Sequence, residues 1–210
     1  AERDLALAEL TGGKLLLDML SSAQTLPSLK RARDRGVKAY ASVNVHHLVL
    51  NEQDVDGYRS FAKLSPPLRS EDDRKALGLA VKDGLIDVIV SGHDPQQAED
   101  KRLPFEEAAF GAVGLETLLP GALTLHHNGD ASLTTLVRAM TLRPAELLKL
   151  PQGRLTKGAP ADIILVDIGA PFRLDSDKLR SKSNNSPFDE KLLQGVVKQT
   201  FIAGRRIFGG

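Results

Sequence analysis

The sequence has no cysteine and no tryptophan in 210 residues, and aromatic residues make up only 4% of it. Without thiols, a disulfide-stapled scaffold is excluded, and so are all-thiolate zinc and iron–sulfur sites. An excess of one charge sign is also missing. Against 28 Lys and Arg stand 27 Asp and Glu, a formal net charge of +1. No broad field therefore attracts nucleic acid. No apolar run approaches the ~18 residues of a membrane span. The N-terminus, Ala1-Glu2-Arg3-Asp4, has no signal-peptide pattern and no initiator Met. It starts inside a helical pattern, so a fragment is the expectation. What is present is ordinary: 41% hydrophobic and 26% charged residues, the balance of a globular protein. Composition reads as a soluble, cytoplasmic protein with no nucleic-acid and no membrane partner, and gives no function.

Periodicity organises the chain. Arg3 to Leu10 is an amphipathic helix stopped by Gly12-Gly13. Lys14 to Leu20 has strand length. Leu26, Leu29 and Ala32 repeat at helical spacing, with Lys30, Arg31, Arg33 and Arg35 expected in solvent and Gly36 as the stop. Val37 to Val45 reads as a second strand. His46 to about Arg69 reads as a long irregular connection containing Ser65-Pro66-Pro67. Ser70 to Val81 is a helix with acids in its first turn. Ile86 to Ser91 is a third strand whose continuous apolar character fits a parallel sheet. Val113 to Leu125 and Leu133 to Leu150 are helical. The alternation argues for βαβ units. Beyond Leu150, Gly153-Arg154-Leu155, Ala161 to Asp167 and Gly195 to Phe208 are strand-like, with a hairpin turn near Gly204-Arg205. The expected division is 1–150 for the α/β part and 151–210 for a small β unit.

Three places carry possible chemistry: Asn44-Val45-His46-His47, Ser91-Gly92-His93-Asp94-Pro95, and Phe110-Gly111 to Gly114-Leu115-Glu116-Thr117. The first two sit at strand carboxyl ends, where parallel α/β folds build their sites. The third offers amides at a helix start that could bind an anion. Adjacent histidines on an extended chain face opposite sides, so one of His46 and His47 at most is expected to reach a site. His126-His127 read as a solvated helix end. A hydrolytic metal site needs several His or carboxylate ligands at strand ends, and these strands supply little beyond Asp18.

Longer motifs carry a resemblance. Arg102-Leu103-Pro104-Phe105-Glu106-Glu107-Ala108, Phe110-Gly111 and Gly114-Leu115-Glu116-Thr117 resemble bacterial dihydroorotases of the cyclic amidohydrolase superfamily. His46-His47-Leu48, Leu64-Ser65-Pro66-Pro67-Leu68-Arg69, Gly158-Ala159-Pro160-Ala161-Asp162 and Ser181-Lys182-Ser183-Asn184-Asn185-Ser186-Pro187-Phe188 continue it. The resemblance implies a (β/α)₈ TIM barrel of which this chain holds strands six to eight, with a small β-sandwich-like appendage. It implies zinc as cofactor, and interconversion of dihydroorotate and carbamoyl aspartate in pyrimidine biosynthesis. Backbone at Phe110 and Gly111 would contact the substrate ring.

Against that pattern, Met19 stands where the family has a strand-six histidine ligand. Gly92 stands where it has the catalytic aspartate, Gln96 replaces a second histidine, and Ser65 replaces a substrate-binding asparagine. Glycine has no carboxylate for metal or proton, and general acid–base catalysis alone contributes ~10²–10⁴-fold. Asp94 is not expected to rescue the site, because Pro95 favours a turn there. The expectation is a chain without catalytic or metal-binding residues of its own, serving as a structural partner of aspartate transcarbamoylase. The alternative is an active zinc-dependent dihydroorotase whose other ligands lie in an upstream half. The expected partners are that upstream half or a companion chain, and a homo-oligomer.

Overall fold

The computed structural model describes residues 1–209. Helix α1 (Glu2–Thr11) carries Glu2 and Asp4 in its first turn and ends at left-handed Gly12. Strand β1 (Leu15–Leu17) leads through a 3₁₀ turn, capped by Ser22, into α2 (Leu26–Asp34). Strand β2 (Ala39–Asn44) runs directly into the short helix α3 (Val45–Val49). Helix α4 (Glu71–Lys82) opens on Ser70, whose hydroxyl accepts from Asp73 N, and precedes β3 (Val88–Val90). The helices α5 (Ala98–Arg102), α6 (Leu118–His127), α7 (Leu133–Met140) and α8 (Leu142–Leu148) come next.

The first three strands form a parallel sheet in the order β1-β2-β3, with Leu17 opposite Ala41 and Asn44 opposite Val90. Leu17, Val43 and Ile89 from the strands meet Leu29, Leu77, Leu125 and Leu136 from the helices in one buried core. That burial supplies the driving force, at ~25 cal/mol per Å² of apolar surface. The chain then forms an antiparallel sheet of β4 (Ile163–Arg173), β5 (Leu192–Ile202) and β6 (Arg205–Phe208). A second core joins this sheet to the α/β part. Leu174, Phe188 and Leu193 pack with Leu50, Leu64, Leu68 and Ala112.

Several expectations needed correction. The first strand ends at Leu17, because Met19 turns away with φ 49. The stretch after His46 is not wholly irregular. It holds α3 and two 3₁₀ helices, Glu52–Tyr58 and Ser60–Ala62. Gly153-Arg154-Leu155 forms no strand, since Gly153 takes φ 83 and turns the chain. Arg33 does not face solvent. Its Nε donates to Ala39 O at 2.8 Å, and its guanidinium pairs with buried Asp87. Arg143 reaches the other Asp87 oxygen at 2.6 Å, so one carboxylate ties α2 and α8 to the amino end of β3.

Candidate functional site

The carboxyl ends of β1, β2 and β3 open onto a cavity of about 310 Å³. Each strand lends the cavity its terminal residues or the first residues beyond them. After β1 come Asp18 and Met19; Ser42 Oγ donates to Asp18 Oδ1 and accepts from Met19 N at 2.8 Å. Strand β2 ends in Asn44, which caps α3 by accepting His46 N–H on Oδ1 at 3.0 Å. That cap turns the Asn44 side chain toward β3. A Cβ on Gly92 would lie 1.8 Å from Asn44 Nδ2 and 2.5 Å from Oδ1, and Gly92 has φ 55. The volume for a side chain at 92 is already filled. The chain turns left-handed at Gly92, and Asp94 beyond it lines the same cavity.

His93 forms a parallel bridge with Ala112, and its Nδ1 accepts from Gly114 N at 3.1 Å. Asp94 N donates to Ala112 O at 2.7 Å, and Asp94 Oδ1 accepts from Gln96 Nε2 at 2.8 Å. A side chain at Gly111 (φ 117) would collide with Asp94 at 2.4 Å, so the loop can pass only as glycine.

The expected anion site at 111–114 is not formed. Helix α6 begins at Leu118, beyond these residues. Their amides are engaged: Gly111 N with Lys63 O, Val113 N with Asn185 O, Gly114 N with His93 Nδ1. Sequence reasoning also missed two buried lysines that brace this loop. Lys63 Nζ donates to Phe105 O at 2.7 Å and Glu106 O at 2.8 Å, and lies 4.6 Å from the Phe110 ring centre. Lys101 Nζ donates to Ala109 O at 2.9 Å and Gly111 O at 3.0 Å. Burial, with Lys63 nearby, pushes the Lys101 ammonium down to about 8. The available signal was Lys63 inside the apolar run Phe61-Ala62-Lys63-Leu64. Phe110 itself is half exposed beside the cavity.

His46 and His47 lie in a helix, and both are buried. His46 stacks on Phe188 with ring centres 5.3 Å apart, and among the described residues neither of its nitrogens has a hydrogen-bond partner. Burial, with His47 beside it, pushes its pKa down to about 3. His47 Nε2 lies 3.1 Å from both Pro66 O and Pro67 O and holds that loop. Burial lowers its pKa as well. His126 and His127 close α6, away from the cavity.

These residues do not fit the zinc that the resemblance implies. Met19 and Gly92 offer no hard donor, Asn44 brings an amide nitrogen to position 92, and His93 Nδ1 is engaged. Among the described residues, no group of three or more His, Cys, Asp or Glu could hold a metal ion. No helix among them is long and apolar enough to cross a membrane.

A parallel three-stranded sheet packed against helices, with a cavity at the carboxyl ends of its strands, defines a protein of the α/β class. The chain belongs to the amidohydrolase family, whose model matches residues 16–207. It is similar to a dihydroorotase from Ehrlichia canis (strain Jake), 42% identical over 189 residues, covering 90% of this chain and 42% of that protein. A dihydroorotase from Wolbachia sp. subsp. Drosophila simulans (strain wRi) is 41% identical over 189 residues, covering 90% and 43%. Among solved structures, the L-hydantoinase (dihydropyrimidinase) from Arthrobacter aurescens superposes with a TM-score of 0.94 at 28% identity, over 99% of this chain and 48% of that one. The resemblance read from the motifs is thus borne out. The chain spans less than half the length of the curated relatives it matches.

Proposed function

We propose that this chain is a non-catalytic dihydroorotase-like protein of pyrimidine biosynthesis that acts as a structural partner of aspartate transcarbamoylase. The carrying observation is the collision at the end of β3. The residue that would move a proton there is glycine, and Asn44 fills its place. Met19 at the end of β1 removes a second ligand. The partner enzyme comes from the resemblance to bacterial dihydroorotases.

In the same reading, β1, β2 and β3 are barrel strands six, seven and eight, and β4 to β6 are half of a β sandwich. Among the described residues the outer edges of β1 and β3 are unpaired, and Leu16, Ile164, Leu165, Ile207 and Phe208 are exposed. Open edges and apolar faces of this kind call for a covering partner. An upstream half of the same fold, or a companion chain, would supply it, and the assembly would be a homo-oligomer. Phe110 and Gly111 remain as the wall against which a ring would lie.

Sedimentation of the purified full chain with aspartate transcarbamoylase from the same source tests the partnership. A defined complex with faster transcarbamoylase assembly is expected. Independent sedimentation of the two proteins at micromolar concentration would overturn it.

A further inference from the structure

We infer that the polar cavity lined by α5 and the 176–185 loop binds a phosphomonoester of a small polyol, its phosphate held by Arg102 and Lys182 beside the buried Lys101. The cavity measures about 630 Å³, room for a ligand of sugar-phosphate size. Two of the motifs that stand out in the sequence meet there. Arg102 opens the first, and Lys182 lies in the second, Ser181 to Phe188. None of the residues lining this cavity lines the one at the strand ends, so the inference holds whether or not the mouth is catalytic.

Charge points to an anion. Lys101 is only 2% exposed, yet its ammonium meets backbone carbonyls and no carboxylate, and Lys63 beside it is held the same way. Buried charges are ordinarily paired with an opposite charge. Burial and Lys63 together push the Lys101 ammonium down to about 8, and Asp94 offsets only part of that. Two of its three hydrogens go to Ala109 O and Gly111 O, which leaves the third without an acceptor among the described residues. Arg102 and Lys182 are exposed, and among the described residues neither forms an ion pair. The acids lining the cavity are Glu99 and Asp177, and one Asp177 oxygen already accepts from Asn184 Nδ2. A dianionic phosphate matches a guanidinium and two ammoniums better than a single carboxylate does. The rest of the lining suits hydroxyls, since Gln97, Ser181 and Ser183 outweigh the apolar contact that Phe61 and Leu179 give.

The test is a titration of the full chain, followed by NMR at about 0.15 M salt to screen loose ion accumulation, with glucose 6-phosphate, inorganic phosphate and glucose as probes. Glucose 6-phosphate is expected to saturate, shifting the backbone amides of 96–102 and 181–185. Inorganic phosphate should bind about tenfold more weakly, and glucose should not saturate at about 10 mM. Arg102→Gln and Lys182→Gln should each weaken glucose 6-phosphate about tenfold, the loss of one charge-assisted contact. Both side chains are exposed, so both variants should keep the parent melting curve. Lys14→Gln, an exposed site that does not line the cavity, should bind as the parent does. No saturation by glucose 6-phosphate, inorganic phosphate binding as tightly, or shifts confined to the strand-end cavity would overturn the assignment. Unchanged binding in Arg102→Gln and Lys182→Gln, or an equal loss in Lys14→Gln, would do the same.

Discussion

The side chain of Asn44 and a side chain at position 92 exclude one another. A Cβ built on Gly92 falls 1.8 Å from Asn44 Nδ2. The exclusion is one of volume, and a single substitution at 92 meets it at once. Gly92→Asp should therefore restore neither metal binding nor turnover, and should destabilise the chain by about 1–3 kcal/mol through overpacking. Gly92→Asp with Asn44→Gly should recover part of that loss, since glycine is an acceptable N-cap. Urea unfolding of both variants and of Asn44→Gly gives the coupling. Simple additivity would contradict the exclusion.

His46 makes stability depend on pH. Its folded pKa is pushed down to about 3 by burial, against an unfolded value of 6.5. The unfolded chain therefore binds a proton that the folded chain does not. Stability is complete above pH 6.5 and falls as pH drops toward 3. Over two pH units below 6.5, His46 alone removes about 2.7 kcal/mol. His47 shifts in the same direction and adds to the slope. His46→Gln should flatten the curve between pH 6.5 and 4.5 relative to the parent. Parallel curves for the two proteins would show that His46 does not stay neutral in the core.

Lys101 holds the cavity wall from behind. Its ammonium donates to Ala109 O and Gly111 O, and Asn185 Nδ2 also reaches Gly111 O at 3.1 Å. Lys101→Met leaves the Ala109 carbonyl without this donor and should cost about 1–3 kcal/mol. Hydrogen exchange localises the effect. Exchange at Ala109 and Gly111 should quicken, while the amide of Val43 in β2 keeps its protection. Unchanged exchange at Gly111 would remove Lys101 from this role.

Asp87 sits at the opposite end of the sheet, buried between Arg33 and Arg143 and accepting from Ala41 N at 3.0 Å. Asp87→Asn leaves two guanidiniums facing a neutral amide. The expected loss is about 3 kcal/mol, the low end for a broken buried pair because both arginines keep some water. Thermal melting measures it, and a loss under about 1 kcal/mol would place the pair with ordinary surface bridges.

Regular elements were legible where pattern and punctuation agree. The acids and Ser70 before α4 placed its start, and Gly12 placed the end of α1. The motifs carried the family, because the amidohydrolase pattern runs over residues 16–207. The proposed loss at the site was legible in the sequence, and its proposed replacement was not. Met19 and Gly92 can be read against a motif, whereas Asn44 needed the cap on His46 to reveal where its amide goes. Extended parity misplaced His46 and His47, because a helix begins there. Lys63 and Lys101 escaped notice because their partners are backbone carbonyls of a loop, which leave no mark in composition.

The most direct test of a mouth without catalysis joins metal content to turnover. The full-length protein from its natural source would be saturated with zinc, desalted, and assayed for bound zinc and for hydrolysis of dihydroorotate. Well under one zinc per chain, with no hydrolysis above the uncatalysed rate, is expected. One zinc per chain with hydrolysis abolished by a chelator would contradict the proposal.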